Sequence, residues 1–439
     1  MAPTDLHGLA LSTTAEAAVA YNRALRRILL VRAGAEDAMA DAARADPGFA
    51  LAHAGLAVLG HEYGAAVDVP AALDAACAAA QRHGTARERS QVAALAAHIR
   101  SPRPTGAVQA HLRAYPRDAL MLSVAVPTIA FAGVTQLPEE AWALVEEMAP
   151  AYGTDWWYAG LLSFVRQEQG RWAEAGSLAE RALTAEPDSG HAVHALAHVY
   201  YETGAHEAGL EWLDAWLIRR GPRAHHGAHF SWHAALHELA LDDPVAVRRR
   251  YAAQLAPPRV AGLRLLVDSA SLLWRAELAG SWDAPPIGAV LDAVEPALLC
   301  RPTTPFAAWH ALVALACAGD AAGLARLGRY AESVPGEVFK RLVAPLAAAL
   351  LAYVEGRYTA AADGLLRVRP GLARLGGSAA QREVLEDTLL HALLRAGRLA
   401  EARALLVARL DRRLSRRELR QLSVLSRAGG PARETEMAA

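Results

Sequence analysis

An all-α fold is what this 439-residue sequence predicts: a right-handed superhelix, or solenoid, of antiparallel helical hairpins, curled around a central pocket. Three observations carry that expectation. Apolar positions recur at i, i+3, i+4 and i+7 almost throughout, the stripe that an amphipathic helix buries. Alternating Val/Ile/Thr/Tyr runs and Asn-Gly turns, the marks of strands, are nearly absent. Short breaks carrying Gly, Pro or Asp cut the chain into segments of about 12–18 residues, the length of ordinary helices.

The elements follow in order. The opening "MAPTDLHGLALSTTAEAAVAYNRALRR" has no basic segment leading into a long apolar run, so no leader peptide is expected. "ARADPGFALAHAGLAVLG" reads as a helix, an Asp-Pro break and a second helix. "GTARERSQVAALAAHIRS" reads as a capped amphipathic helix with a charged outer face. The clearest hairpin is "WWYAGLLSFVRQEQGRWAEAGSLAERALTAEP" (156–187). Gly170 ends its first helix and Trp172 opens the turn. Ala175 and Ala182 are the small contacts, and Pro187 stops the second helix. Trp156 and Trp157 at the helix start read as core or groove wall. Gly204 lies 34 residues after Gly170, the tetratricopeptide period. Later copies carry Gly356, Tyr358 and Ala361, then Gly397 and Ala402. A hairpin of this kind hides its apolar face only against its neighbours.

The spacing is uneven. "RRGPRAHHGAH" is inserted between helices, and "LAPPRVAG" and "WDAPPIGA" are Pro-rich breaks. The expected organisation is N-terminal hairpins over 1–150, central repeats over 151–255, C-terminal hairpins over 256–425 and a disordered tail over 426–439. The tail begins as a basic helix, "ARLDRRLSRRELRQLSVLSRA", which reads as a solvated terminal cap.

Composition narrows the function classes. Net charge is −1, which gives no basic footprint for nucleic acid. No uncharged apolar run reaches the ~18 residues of a membrane span. Cys77, Cys300 and Cys317 are scattered and odd in number, as expected of small buried residues in a reducing cytoplasm. No glycine loop matches a phosphate or dinucleotide fingerprint, and no Gly-x-Ser-x-Gly elbow is present.

The chemistry concentrates in histidine. Nine of the 17 histidines lie between 191 and 237. His194 and His198 are i, i+4, and His229, His233 and His237 continue the same spacing on the next repeat, so each set shares a helix face. His191 flanks the first face. His206, His225 and His226 sit at turns and are expected to face solvent. Three readings beyond packing stay open. Facing His-x-x-x-His pairs can supply four imidazoles to a divalent metal. Clustered imidazoles can act as acid and base. His together with Trp can hold an anionic or aromatic ligand.

At these residues the sequence resembles the tetratricopeptide repeat protein 38 family. "HFSWHAAL" carries His229, Trp232 and His233. "DSASLLWRAELAG" carries Asp268, Trp274, Arg275 and Glu277. "PFAAWHALVALA" carries Phe306 and His310, and "GGSAAQREVLEDTLLHALL" carries Gly376, Gly377, Ser378, Gln381 and Arg382. The order holds over roughly 15–425. Three positions depart from the family pattern: His191 stands for a Trp, Ala379 for a His and Glu383 for an Asp. The resemblance fixes fold more firmly than activity, and it selects polar residues that a repeat does not require.

The leading expectation is an enzyme that processes a small molecule in bacterial secondary metabolism by cyclisation, condensation, elimination or hydrolysis. His194, His198, His229, His233 and His310 would form the pocket, with Trp232 as a wall and Asp268 orienting a histidine. Asp268 and Arg275, two turns apart, would share a face. Arg275 and Arg382 would hold a substrate anion, Arg382 with Gln381 in the first turn after the Ser378 cap; Trp274 and His191 complete the substrate set. No cofactor is required, and a divalent metal on the four clustered imidazoles is the variant. A homodimer is left open. The rival, from another class, is a scaffold that binds a peptide or protein.

Overall fold

The computed structural model describes residues 3–100, 105–126, 138–224 and 227–428. The expected disorder of the tail beyond Ala428, and the turn positions of His225 and His226, lie outside these residues. Among the described residues there are 24 α-helices and no strand. Two isolated backbone bridges, Thr4–Ala10 and Arg32–Ala224, are the extended pairings they contain. The fold is that of an all-α helical-repeat protein.

Local sequence explains where helices start. Thr14, Asp68, Asp118, Asp155, Asp243, Thr304, Asp320 and Ser378 each turn a side-chain oxygen onto free first-turn N–H groups. Where they stop is equally local. Gly170, Gly204, Gly280, Gly319, Gly356 and Gly397 all take left-handed φ between 65° and 76°, which ends one helix and turns the chain into the next. Alanine then sets how close helices come. Ala175, Ala182, Ala361 and Ala402 are all buried. A Cβ placed on Gly364 would lie 2.7 Å from the Cβ of Ala349, so that contact admits no side chain.

The chain folds as two compact units: residues 1–199 with 215–230, and 200–214 with 231–439. The division falls inside the histidine-bearing stretch rather than at 150 or 255. In the first unit the hairpins are Ala15–Leu30 with Ala35–Ala45, Ala50–Tyr63 with Val69–His83, and Trp156–Glu168 with Trp172–Ala185. Tyr21, Met39, Phe49, Leu51 and Trp157 lie in their shared core. Trp156 stays half-exposed beneath Arg26. In the second unit Pro305–Cys317 packs with Ala321–Ser333, Ala344–Val354 with Tyr358–Val368, and Ala379–Arg395 with Leu399–Arg412. Three of its turns are widened to π-helix: Tyr251–Leu255, Leu265–Ala270 and Phe339–Val343.

Four expectations need correction. The helix Ala86–Arg100 does not show a purely charged outer face. Arg87 and Glu88 are buried: Arg87 donates to Asp118 at 3.0 Å and to the Ala10 carbonyl at 2.9 Å, and Glu88 accepts from the backbone of Ser12 and Thr85. The helix Arg416–Ala428 is not a solvated cap throughout, because Ser415, Arg417 and Glu418 at its start are buried. His206 is buried rather than solvent-facing. Of the cysteines, only Cys317 is buried; Cys77 is half-buried and Cys300 exposed.

Candidate functional site

In the first unit, His194 and His198 point from one face of Gly190–Glu202, as their spacing of four requires, and His229 comes from the start of Gly227–Ala240. The three rings meet nitrogen to nitrogen. His194 Nε2 lies 3.2 Å from His198 Nε2 and 3.1 Å from His229 Nε2. Phe164 stacks flat on His194, with ring centres 5.1 Å apart, and turns its edge to His198. All three histidines are buried. One ring nitrogen holds either a proton or a lone pair. His194 Nε2 therefore serves both neighbours in the same sense, as a shared donor or a shared acceptor. Such a hub can hold a proton or a cation among imidazoles. His191 lies outside the hub, edge-on to Trp157, and burial lowers its pKa to about 4.

The second unit holds the remaining expected residues. His206 Nε2 sits 3.0 Å from the Leu414 carbonyl, which only accepts, so that nitrogen carries the proton. His206 Nδ1 is then the acceptor for His237 Nδ1, 3.1 Å away. Burial first, and the Arg413 guanidinium second, bring the His206 pKa down to about 4, which keeps the ring neutral. His310 is fully buried, stacked on Trp309 with the edge of Phe306 against it. Burial lowers its pKa to about 3; Asp268 opposes this and Arg275 adds to it. Trp232 is buried edge-on to His233, with Arg275 over its indole.

The polar residues expected to bind substrate are engaged within the fold. Arg275 donates to Asp387 at 3.1 Å and to the Ala380 and Gln381 carbonyls. It is therefore a structural tie between helices 100 residues apart in sequence rather than an anion holder. Asp268 accepts from Arg264, one turn earlier, at 3.3 Å. The expectation that Asp268 and Arg275 share a face fails because Leu265–Ala270 is a π turn, in which seven residues fall short of two full turns. Trp274 donates its indole N–H to Thr388 at 2.9 Å. Gln381 closes a capping box with Ser378, and Arg382 donates to the Gly377 carbonyl. Glu277, expected to pair with an arginine, accepts from the Cys317 thiol at 3.6 Å.

Sequence reading missed the largest polar assembly of this unit. Arg275, Arg409, Arg413 and Arg417 interleave with Glu202, Glu383, Asp387 and Glu418, all buried. Arg413 also lies over the Tyr201 ring at 4.0 Å. Burial pushes the Glu383 carboxyl up, but Arg413, Arg409 and Arg275 outweigh it and hold it well below the usual range. The same balance, with Arg417 leading, lowers Asp387. The signal was present: Glu383 and Asp387 are i, i+4, and Arg409, Arg413 and Arg417 repeat the spacing. A part-open cleft of about 260 Å³ runs beside Arg275, Asp387, His391 and Arg417. It is smaller than the roughly 300–1,000 Å³ usual for small-molecule sites.

Comparison with known proteins agrees with the repeat reading. Residues 167–227 match the tetratricopeptide repeat family, a stretch that contains the helices Trp172–Ala185, Gly190–Glu202 and His206–Arg220. A solved structure, the P58(IPK) TPR domain, aligns at 13% identity over 88% of this chain and 99% of its own, with a TM-score of 0.20. The chain is a tetratricopeptide-like helical-repeat protein. No helix among the described residues is long and apolar enough to cross a membrane.

Proposed function

We propose that the protein is a helical-repeat scaffold that binds a peptide or protein partner. The observation that carries this is the recurrence of one hairpin design, with a left-handed glycine turn at Gly170, Gly204, Gly280, Gly319, Gly356 and Gly397. Stacked hairpins present extended helix faces on which other chains dock. The engagement of Arg275, Gln381 and Asp268 within the fold supports the same reading, since those groups were the expected holders of a small substrate. Selection of a random displayed-peptide library on the full chain tests it. Enrichment of one motif, whose synthetic peptide binds the purified protein, is the expected result. No enriched sequence over repeated selections overturns it.

A second reading rests on the His194 hub. Three buried imidazoles sharing one nitrogen suit proton transfer on a small molecule, or a divalent ion. On this reading the chain falls in the tetratricopeptide repeat protein 38 family and acts in biosynthesis. His194→Ala and His198→Ala would then abolish turnover of a co-purified ligand while the far-ultraviolet circular dichroism stays unchanged. Full turnover in both variants removes the reading. A cytoplasmic setting fits either proposal, because Cys77, Cys300 and Cys317 are all free.

A further inference from the structure

Away from these residues, the first unit brings together a second set of metal-ligating groups. His61 and Glu62 lie in the last turn of Ala50–Tyr63, and His98 in the last turn of Ala86–Arg100. His98 Nε2 is 2.5 Å from Glu62 Oε1, and His61 Nε2 is 3.8 Å from the same oxygen. The rings of His61 and His98 stand edge to face at 5.4 Å. One ligand atom from each of the three residues falls within 4.8 Å of the others.

Three features need an explanation that packing does not give. Glu62 is 2% exposed and His98 6%, yet Glu62 Oε2 and His98 Nδ1 have no hydrogen-bond partner among the described residues. Among those residues the ion pairs of Glu62 are with His61 and His98 alone. Arg100, two residues beyond His98, pairs instead with Asp74 at 2.6 Å. A buried carboxylate facing only imidazoles is costly unless something positive joins it. Both helices also end at this point, and the C-terminal end of a helix favours a cation.

We propose that His61, Glu62 and His98 bind a divalent transition-metal ion of the zinc class, with water as the fourth ligand. Two imidazoles and one carboxylate are the donor set that zinc takes where one position stays open. Tetrahedral bonds of about 2.0–2.1 Å put ligand atoms about 3.3 Å apart. The 3.8 Å pair is near that spacing. The 2.5 Å pair opens by under ~1 Å when the ion replaces the shared proton. The side chain of His61 is 32% exposed, which gives the ion and its water a route in from solvent. The bound ion ties the ends of two helices that the chain separates by a full hairpin.

Titration of the metal-stripped full chain with Zn²⁺, followed calorimetrically, tests this. Because the His194 hub can take up an ion of its own, His194→Ala is titrated alongside. One equivalent that persists in His194→Ala and weakens at least ~100-fold in Glu62→Gln and His98→Ala is the expected result. Co²⁺ in place of Zn²⁺ should give visible absorption that the same two variants lose. If His98→Ala fails to fold by circular dichroism, His61→Ala, at a part-exposed position, carries the test. No uptake by the wild type, or uptake unchanged in Glu62→Gln and His61→Ala, overturns the proposal.

Discussion

The imidazole hub of the first unit and the arginine–carboxylate network of the second are both buried polar assemblies, but they differ in what holds them. His194, His198 and His229 bring like groups together, and a proton more or less changes which of them donates. Arg275, Arg409, Arg413 and Arg417 face Glu202, Glu383, Asp387 and Glu418, and those charges are locked. The first arrangement is adjustable and suits a ligand or an ion. The second has four positive and four negative members and suits a fastening. Buried polarity alone is therefore a poor pointer to a site.

Breaking the fastening should give the largest effect. Asp387→Ala, or Arg275→Ala, strands a buried charge and is expected to cost about 3–5 kcal/mol in urea unfolding. A loss below ~1 kcal/mol would mean that water already reaches the network. Glu383→Gln keeps the shape and isolates the charge contribution.

Acid should separate the clusters next. His191, His206 and His310 have folded pKa values of about 4, 4 and 3, below the ordinary 6.5. The unfolded chain therefore binds more protons between those limits. Stability is complete above about pH 6.5 and falls as pH drops toward 4, by at most ~1.4 kcal/mol per unit for each histidine. Glu383 and Asp387 are depressed carboxyls, so their contribution is present above the unfolded carboxylate pKa and lost only below about pH 4. Melting temperatures across that range should fall in two stages. His310→Phe should flatten the first and leave the second, and an unchanged first stage would reassign it.

The smallest effect sharpens the comparison through a second arginine. Arg382 was expected, like Arg275, to hold an anion. Its guanidinium donates to the nearby Gly377 carbonyl at a part-exposed position. Arg382→Ala should cost no more than ~0.5 kcal/mol by the same urea unfolding. A cost near that of Arg275→Ala would place it in the network.

Periodicity made the helices legible, and the turn glycines and small alanines were read at their own positions because both act locally. The histidine face was legible because i, i+4 spacing is also local. Arg275 was misread because its partner Asp387 lies 112 residues away. Glu62 and His98, 36 residues apart, went unnoticed for the same reason. His206 follows a turn, which reads as exposure, yet its ring is covered by Tyr201, His237 and the Leu414 backbone. Pairings across distant helices leave no periodic trace in a single sequence.

The widened turn Leu265–Ala270 bears on how the chain can change length. It amounts to one extra residue stored in a helix. Deleting one residue there would restore the ordinary pitch and rotate everything after it by about 100° about the axis. Trp274 would swing off Thr388, and Arg275 off Asp387. The break after Gly280 has no such partners to misalign. Natural variation in chain length should therefore accumulate after Gly280 and be purged from the six residues of the turn.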